Sequence, residues 1–535
     1  MKNATIMKST SGRTSNFMFL LIFSIFISIP WSGKCDDSID FTYSFGIHPS
    51  SEDNYTYAKD LGINFNREGV YLVWDWVDTD KNGNFSLKNA TAAPRDDDPA
   101  EEEYIINYDD ERQRLLDIDG IPLMNNICPF QAEDQFENEF QNEEEKAIYQ
   151  SFVKKVVERY DGDSDLGCSI DNGIDCYNSG DNEFPDQDLI SILQTNSIKY
   201  WQVCNDVMDV CDGDECEVDE NYAQKYAEVM ELTYTAVKES CPDCQVLIAG
   251  DSSKDLYPAV YDLLAGNYID IIDKHFFDYN GDYANIPEEM DFLNYKLESA
   301  GFDLDKLRFW ITETGTYSGQ PVDDRDVDEE EKETPPYQTE KEQAQELIKR
   351  YAVSFGYGIE KVLWAWGVKD GFNCECCKFD YTGLIYEGNS GPDTCDEDGI
   401  SDRGEGVKKL AYFSYKMMTQ KLKDFISVET TTSSNGTYVY KFINNEGGSV
   451  YIGWSENGES LTLTGIESNS IKITPTVPDF EYGDQIADFN SAFVSDIKAV
   501  SNGSVIIDLN EVPLYIEEYQ YTLRSFIPIF LLLLK

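Results

Sequence analysis

Glu313 closes the run LRFWITE (307–313) and stands two residues before Gly315, so an acidic side chain ends a short apolar stretch. The run alternates as a strand does, which predicts Leu307, Phe309, Ile311 and Glu313 on one face. A carboxylate at the mouth of a packed strand can carry acid, base or nucleophilic chemistry, and this is where barrel enzymes keep it. A surface salt bridge is the plainer use of such a glutamate. The chain has only two histidines, His48 and His275, and each ends a strand-like run. One such histidine is commonly a satisfied core residue; two on one rim point to contact with a substrate.

Bringing these groups to one rim requires strands that all run the same way. The candidate strands are FTYSFGIH (41–48), GINFNREG (62–69), GIPLMNNI (120–127), IKYWQVCN (198–205), QVLIAGDS (245–252), IDIIDKHF (269–276), LRFWITE (307–313) and KVLWAWG (361–367). Amphipathic helical stretches such as 144–160 and 222–240 separate them. Eight such units predict an α/β fold, a (β/α)8 TIM barrel over 41–422. An open doubly wound sheet is the competitor, but the phosphate-binding glycine fingerprint is missing after the first run. From 423 to 519 the pattern changes to alternating strands with turns, among them GTYVYKFIN and SVYIGWS, which predicts a smaller β-sandwich-like domain.

The two ends differ from the rest. Residues 1–34 carry basic residues and then an apolar run, and read as a secretory signal peptide. The apolar tail 520–535 is too short to span a bilayer; membrane association is expected only if this tail directs an anchor. A formal net charge of -59, with 101 acidic against 42 basic residues, repels phosphate backbones and makes nucleic acid an improbable partner. Acidic runs such as 96–103 and 322–333 read as solvated loops, with calcium binding the sharper alternative. DTDKNGNFSLKN (78–89) imitates an EF-hand loop but lacks the final glutamate.

Thirteen cysteines in a secreted chain imply disulfides. CPDC (241–244) and CECC (374–377) have zinc-ligand spacing, but a barrel puts them at opposite ends, so they cannot share one ion. The same sorting puts Cys168, Cys176, Cys241 and Cys244 at the bottom. Cys128, Cys204, Cys211, Cys216, Cys374, Cys376, Cys377 and Cys395 fall at the top, and Cys35 is left beside the leader. Disulfides are expected within each set, and no metal site is expected.

KYWQVCND (199–206), HFFDY (275–279), WITETG (310–315) and LWAW (363–366) occur in that order, after REGVYLVWDW (67–76). Together they resemble the retaining glycoside hydrolases of clan A, which are (β/α)8 barrels with catalytic carboxylates after strands four and seven. VYKFINNEGGSVYIGWS with DLNEVPLYIEE is similar to the C-terminal β-domain of their xylosidase- and iduronidase-like members. The resemblance implies Glu313 as nucleophile and Asp206 as acid/base, with Asn205 bonding a sugar hydroxyl. Asp206 is the main departure, because the family carries glutamate there, and Asp209 and Asp212 are nearby substitutes. His275 and His48 are implied at the substrate, with Tyr279 bonding Glu313.

Arg67 would contact the Glu313 carboxylate and keep it ionised, or else form a structural ion pair in the rim. Trp364 and Trp366 share strand parity; one would floor the innermost sugar site, with core packing the alternative for Trp364. Trp74 and Trp76 would extend the cleft or brace a loop. The function implied is a secreted retaining glycoside hydrolase acting by double displacement on an extracellular poly- or oligosaccharide, with no cofactor. The alternatives are a catalytically silent glycan-binding barrel, motivated by Asp206, and a tail-anchored structural surface protein.

Overall fold

The computed structural model describes residues 39–50, 52–92, 104–116, 121–130, 140–162, 187–207, 220–250, 256–277, 283–321, 336–371, 378–388, 403–434 and 436–520. The expected leader, the C-terminal tail, both acidic runs and CECC lie outside the described residues, as do Tyr279, Asp209 and Asp212. No described helix is long and apolar enough to cross a membrane.

Eight parallel strands form a closed barrel. They are β1 (Phe45–Ser50), β2 (Phe65–Glu68), β3 (Leu123–Cys128), β4 (Tyr200–Val203), β5 (Gln245–Leu247), β6 (Ile271–Phe276), β7 (Arg308–Thr314) and β8 (Lys361–Ala365). Each pairs with its neighbours in chain order, and β1 pairs with β8 to close the ring. All eight runs read from the sequence are there with their ends moved, most of them shorter and three, at β1, β3 and β7, reaching one or two residues further on, because short apolar runs bounded by helices satisfy their backbone by pairing in a parallel sheet.

The helical layer follows the same order: Glu52–Leu61, Tyr108–Leu116, Glu143–Tyr160, Glu220–Ser240, Leu256–Leu264, Ile286–Ser299, Glu340–Gly356 and Leu410–Lys421. Helix starts are set locally. Asn142 accepts backbone N–H bonds from Glu144 and Glu145, and Thr339 with Glu342 forms a reciprocal capping box. Strand residues that face outward, including Ile47, Trp201, Ile272, Ile311, Val362 and Trp364, join the helices in the main core.

The C-terminal region is a six-stranded antiparallel sheet, ordered β9 (Phe425–Ser434), β10 (Thr437–Asn444), β11 (Ser449–Ser455), β16 (Leu514–Tyr519), β13 (Ser470–Pro475) and β14 (Asp496–Ala499). A hairpin-like pair, β12 (Ser460–Thr464) with β15 (Ser504–Asp508), covers one face through Leu463, Val505 and Ile507 against Val439, Ile471 and Ile516. The other face packs on the barrel through Tyr440, Phe442, Ile452 and Trp454. Gly356 makes this approach possible, since a Cβ there would lie 2.2 Å from the Tyr440 ring.

Two disulfides are present among the described residues, Cys128–Cys204 and Cys241–Cys244. Each stays within its expected set, and the CPDC cysteines are bonded to each other rather than available to zinc. In the EF-hand-like segment Asp78 accepts backbone N–H bonds from Asn82 (3.1 Å) and Gly83 (2.8 Å), the work of a turn residue.

Candidate active site

The barrel interior is stacked in layers. Phe65, Met124, Leu247, Ile271, Trp310 and Leu363 form an apolar layer across the tube, none more than 1% exposed. Lys361, at the start of β8, lies at its lower side and donates to the carbonyls of Thr42 (2.7 Å) and Tyr43 (3.3 Å). Burial, with Arg308 adding repulsion, pushes its pKa down to about 7.

Above the apolar layer sits a polar one. Arg67 Nε donates to Gln202 Oε1 (3.1 Å), and Gln202 donates on to Asp273. Thr312 closes on the same carboxylate with its N–H (3.0 Å) and its hydroxyl (2.6 Å). Asn126 donates to Gln202 (3.3 Å) and to the Cys204 carbonyl (2.7 Å). None of these interior residues stood out in the sequence except Arg67. Asp273 and Thr312 lie inside apolar runs, where a polar residue on the inward face carries no signal of its own.

The top layer holds the titratable groups. Arg67 reaches up to donate to Glu313 Oε1 and to Asn205, so one guanidinium fixes both. His48 Nε2 lies 3.5 Å from Glu313 Oε1. His275 Nδ1 lies 3.3 Å from Glu313 Oε2 and 3.2 Å from Asp206 Oδ1, standing between the two carboxylates. On its other side His275 Nε2 faces the Thr312 hydroxyl (3.3 Å) and Asp273 (3.7 Å). One ligand atom from each of Asp206, His275 and Glu313 lies within 4.8 Å of the others.

Three local features produce this arrangement. β7 carries a bulge: Trp310 is opposite Asp273, but Glu313 is opposite His275, so three steps on β7 match two on β6. Strict alternation would put Glu313 on the face of Ile311, which packs outward into the helix layer. The bulge corrects that expectation and turns Thr312 and Glu313 both inward.

Gly250, just after β5, lies against the His275 ring; a Cβ there would meet its atoms at 2.0 Å. Gly315 lets the end of β7 approach β8, where a Cβ would stand 2.3 Å from the Ala365 carbonyl oxygen. At the end of β4 the chain turns through Cys204 (φ 60°) and Asp206 (φ 47°), both in the left-handed region. Cys204 is tied there to the end of β3 by its disulfide.

Burial pushes the Glu313 pKa up to about 7, while His275 and Arg67 pull against it. Burial would depress His275, but the Glu313 and Asp206 carboxylates outweigh it and hold its pKa above the ordinary imidazole value. His48 goes the other way: burial, then the charges of Arg67 and His275, lower its pKa well below that value and keep it neutral. The surroundings therefore push the two histidines of one rim in opposite directions.

Trp366 is half-buried at the same rim, parallel to Phe277 (5.7 Å between centroids) and 5.4 Å from the His48 ring. Trp364 does not join it. Fully buried in the helix layer, it donates to the Thr382 carbonyl at 2.9 Å, so its expected contact with substrate gives way to core packing. The two tryptophans part because Trp366 lies beyond the end of β8 and no longer follows strand parity. Trp74 is also fully buried, against Phe140 and Tyr149, and braces its loop rather than extending the cleft. Tyr71, which the sequence did not single out, lies under the Arg67 guanidinium (5.8 Å) and parallel to His48 (6.5 Å).

No family model matches the chain, and no curated protein matches it. Solved structures do. A family 39 glycoside hydrolase from the gut symbiont Bacteroides cellulosilyticus WH2 is 14% identical with a TM-score of 0.53, over 90% of this chain and 82% of that one. A glucosidase from Croceicoccus marinus is 11% identical with a TM-score of 0.53, over 90% and 97%. The GH51 arabinofuranosidase from Xanthomonas axonopodis pv. citri is 11% identical with a TM-score of 0.51, over 90% and 97%. The chain thus shares the fold of these solved glycosidases over most of its length.

Proposed function

We propose that the chain is a retaining glycoside hydrolase in which Glu313 is the nucleophile and Asp206 the acid/base. The observation that carries this is the closeness of the two carboxylates, one oxygen of each lying within 4.8 Å of the other. Retaining enzymes hold their carboxyl groups about 5–5.5 Å apart, whereas inverting ones need about 6.5–9.5 Å to admit a water between them.

In the first step Glu313 attacks the anomeric carbon, the glycosidic bond breaks, and Asp206 gives its proton to the departing oxygen. In the second, Asp206 takes a proton from water, the water oxygen attacks the same carbon, and Glu313 leaves. Arg67 orients the nucleophile and holds Asn205 beside it, and Trp366 offers an aromatic surface to the apolar face of a sugar. Two disulfides among the described residues, together with the leader read in residues 1–34, support an extracellular setting.

A second reading has its own observation. Glu313 has no exposed surface, while Asp206 is 36% exposed, so a sugar must displace part of the rim to reach the nucleophile. A barrel that binds glycans without cleaving them would need no such movement. A 2-deoxy-2-fluoro glycoside with an activated leaving group separates the two. The hydrolase reading expects a stable adduct on the peptide containing Glu313, absent in Glu313→Gln. Binding to glycans with neither adduct nor turnover across a panel of glycosides would refute it in favour of the silent barrel.

A further inference from the structure

We propose that Asp206, His275 and Glu313 also form a binding site for a single zinc-like transition-metal ion, and that the ion and a sugar exclude each other there. Zinc bound tetrahedrally by nitrogen and oxygen at about 2.0–2.2 Å requires ligand atoms about 3.3–3.5 Å apart. The His275 Nδ1 to Glu313 Oε2 and His275 Nδ1 to Asp206 Oδ1 distances are 3.3 and 3.2 Å, so two of the three edges already have that length. The third, between the carboxylates, is within 4.8 Å and closes by rotation of Asp206, the partly exposed member.

Two further observations point to a ligand. His275 Nδ1 and Glu313 Oε2 are buried and complete no hydrogen bond among the described residues, although their side chains are only 3% and 0% exposed. They aim at each other and at Asp206 across a shared gap. Behind them, His275 Nε2 faces the Asp273 carboxylate at 3.7 Å and the Thr312 hydroxyl at 3.3 Å. Metal-bound histidines carry a comparable acceptor on the far ring nitrogen, which fixes the tautomer and turns the other lone pair to the ion; here it is the Thr312 hydroxyl, itself held by Asp273.

Charge favours the ion as well. Arg67 is engaged with the other Glu313 oxygen, Oε1, and leaves Oε2 to the site. The dication would sit between two carboxylates that both face the His275 ring. One histidine and two carboxylates suit zinc or cobalt better than calcium, which takes six to eight oxygens. Because the ion would occupy both proposed catalytic carboxylates, it would be an inhibitor and not a cofactor of the hydrolase. The binding itself does not depend on that activity.

The test uses the full secreted chain, stripped with chelator and titrated with zinc in millimolar calcium, which saturates the acidic surface. Bound zinc is counted by elemental analysis, and cobalt(II) is added separately for its visible spectrum. One tightly held zinc per chain and a tetrahedral cobalt spectrum are expected. Both should be lost in His275→Gln and in Asp206→Asn, and affinity should fall about 10–100-fold in Asp273→Asn. Asp243→Asn, at the cysteine pair on the opposite end of the barrel, should change nothing. Circular dichroism reports whether each variant folds; if His275→Gln does not, Asp206→Asn, at the exposed edge of the site, decides. Absence of a tight equivalent in the parent chain, or its persistence in a folded Asp206→Asn, would overturn the proposal, whatever the chain does to sugars.

Discussion

Removing the Cys128–Cys204 disulfide by the paired change Cys128→Ser and Cys204→Ser should lower both stability and activity. The bridge closes a segment with a sequence separation of 76 residues. In the chain-entropy treatment a loop of that length loses 2.1 + 1.5R ln n, about 15 cal/mol/K, or about 4.5 kcal/mol at 25 °C. Stability of a domain is commonly only about 5–15 kcal/mol, so the loss should move the urea midpoint far below that of the parent chain.

The same bond ties the end of β4 to the end of β3, immediately before Asn205 and Asp206. Freed, those residues lose their covalent tether and rely on non-covalent contacts, among them those with Arg67 and His275. A displacement of about 1 Å at a catalytic group costs roughly a hundredfold in rate, and kcat should fall accordingly in protein that is still folded. Tryptophan fluorescence in urea and initial rates on an activated aryl glycoside make the two measurements. If the variant unfolds at the parent midpoint with the same slope, the bond is not acting as this account requires. If it unfolds early but keeps its full kcat, the rim does not depend on the tether.

Two other residues give separate predictions. Gly250→Ala should push the His275 ring aside, because the new Cβ would fall 2.0 Å from it; an overpacking cost of about 1–3 kcal/mol in thermal unfolding and a loss of turnover are expected together. Lys361→Met should remove a pH dependence of stability. The folded lysine titrates at about 7 and the unfolded one near the ordinary lysine value of 10.5, so the folded state binds fewer protons between them and stability rises through that window. Below pH 7 the cost of burying the charge is fully present. Denaturation of both chains from pH 6 to 10 should give a gap, parent minus variant, that rises toward the alkaline end; a constant gap would contradict it.

The fold was largely legible because each barrel strand is short, apolar and followed by a helix. The chemistry was legible at strand ends, where a glutamate, a histidine or an arginine interrupts such a run: Glu313, His275, His48 and Arg67 all meet at one rim. Register was harder to read. Nothing in LRFWITE marks the extra residue that turns Glu313 inward, since a bulge is dictated by the neighbouring strands, and it leaves the alternation of the sequence unchanged.

The supporting layer was also silent. Asp273 and Thr312 look like interruptions of apolar strands, and only three-dimensional closure reveals that they hold His275 from behind. The tryptophans divided for a related reason, Trp364 obeying strand geometry and Trp366 having left it.

The apolar layer of Phe65, Met124, Leu247, Ile271, Trp310 and Leu363 has a consequence for traffic. It fills the tube with side chains, so nothing passes along the barrel axis from one end to the other. Threading of a long polymer through the barrel axis is impossible; a chain can only be presented across the mouth or dipped in by its end.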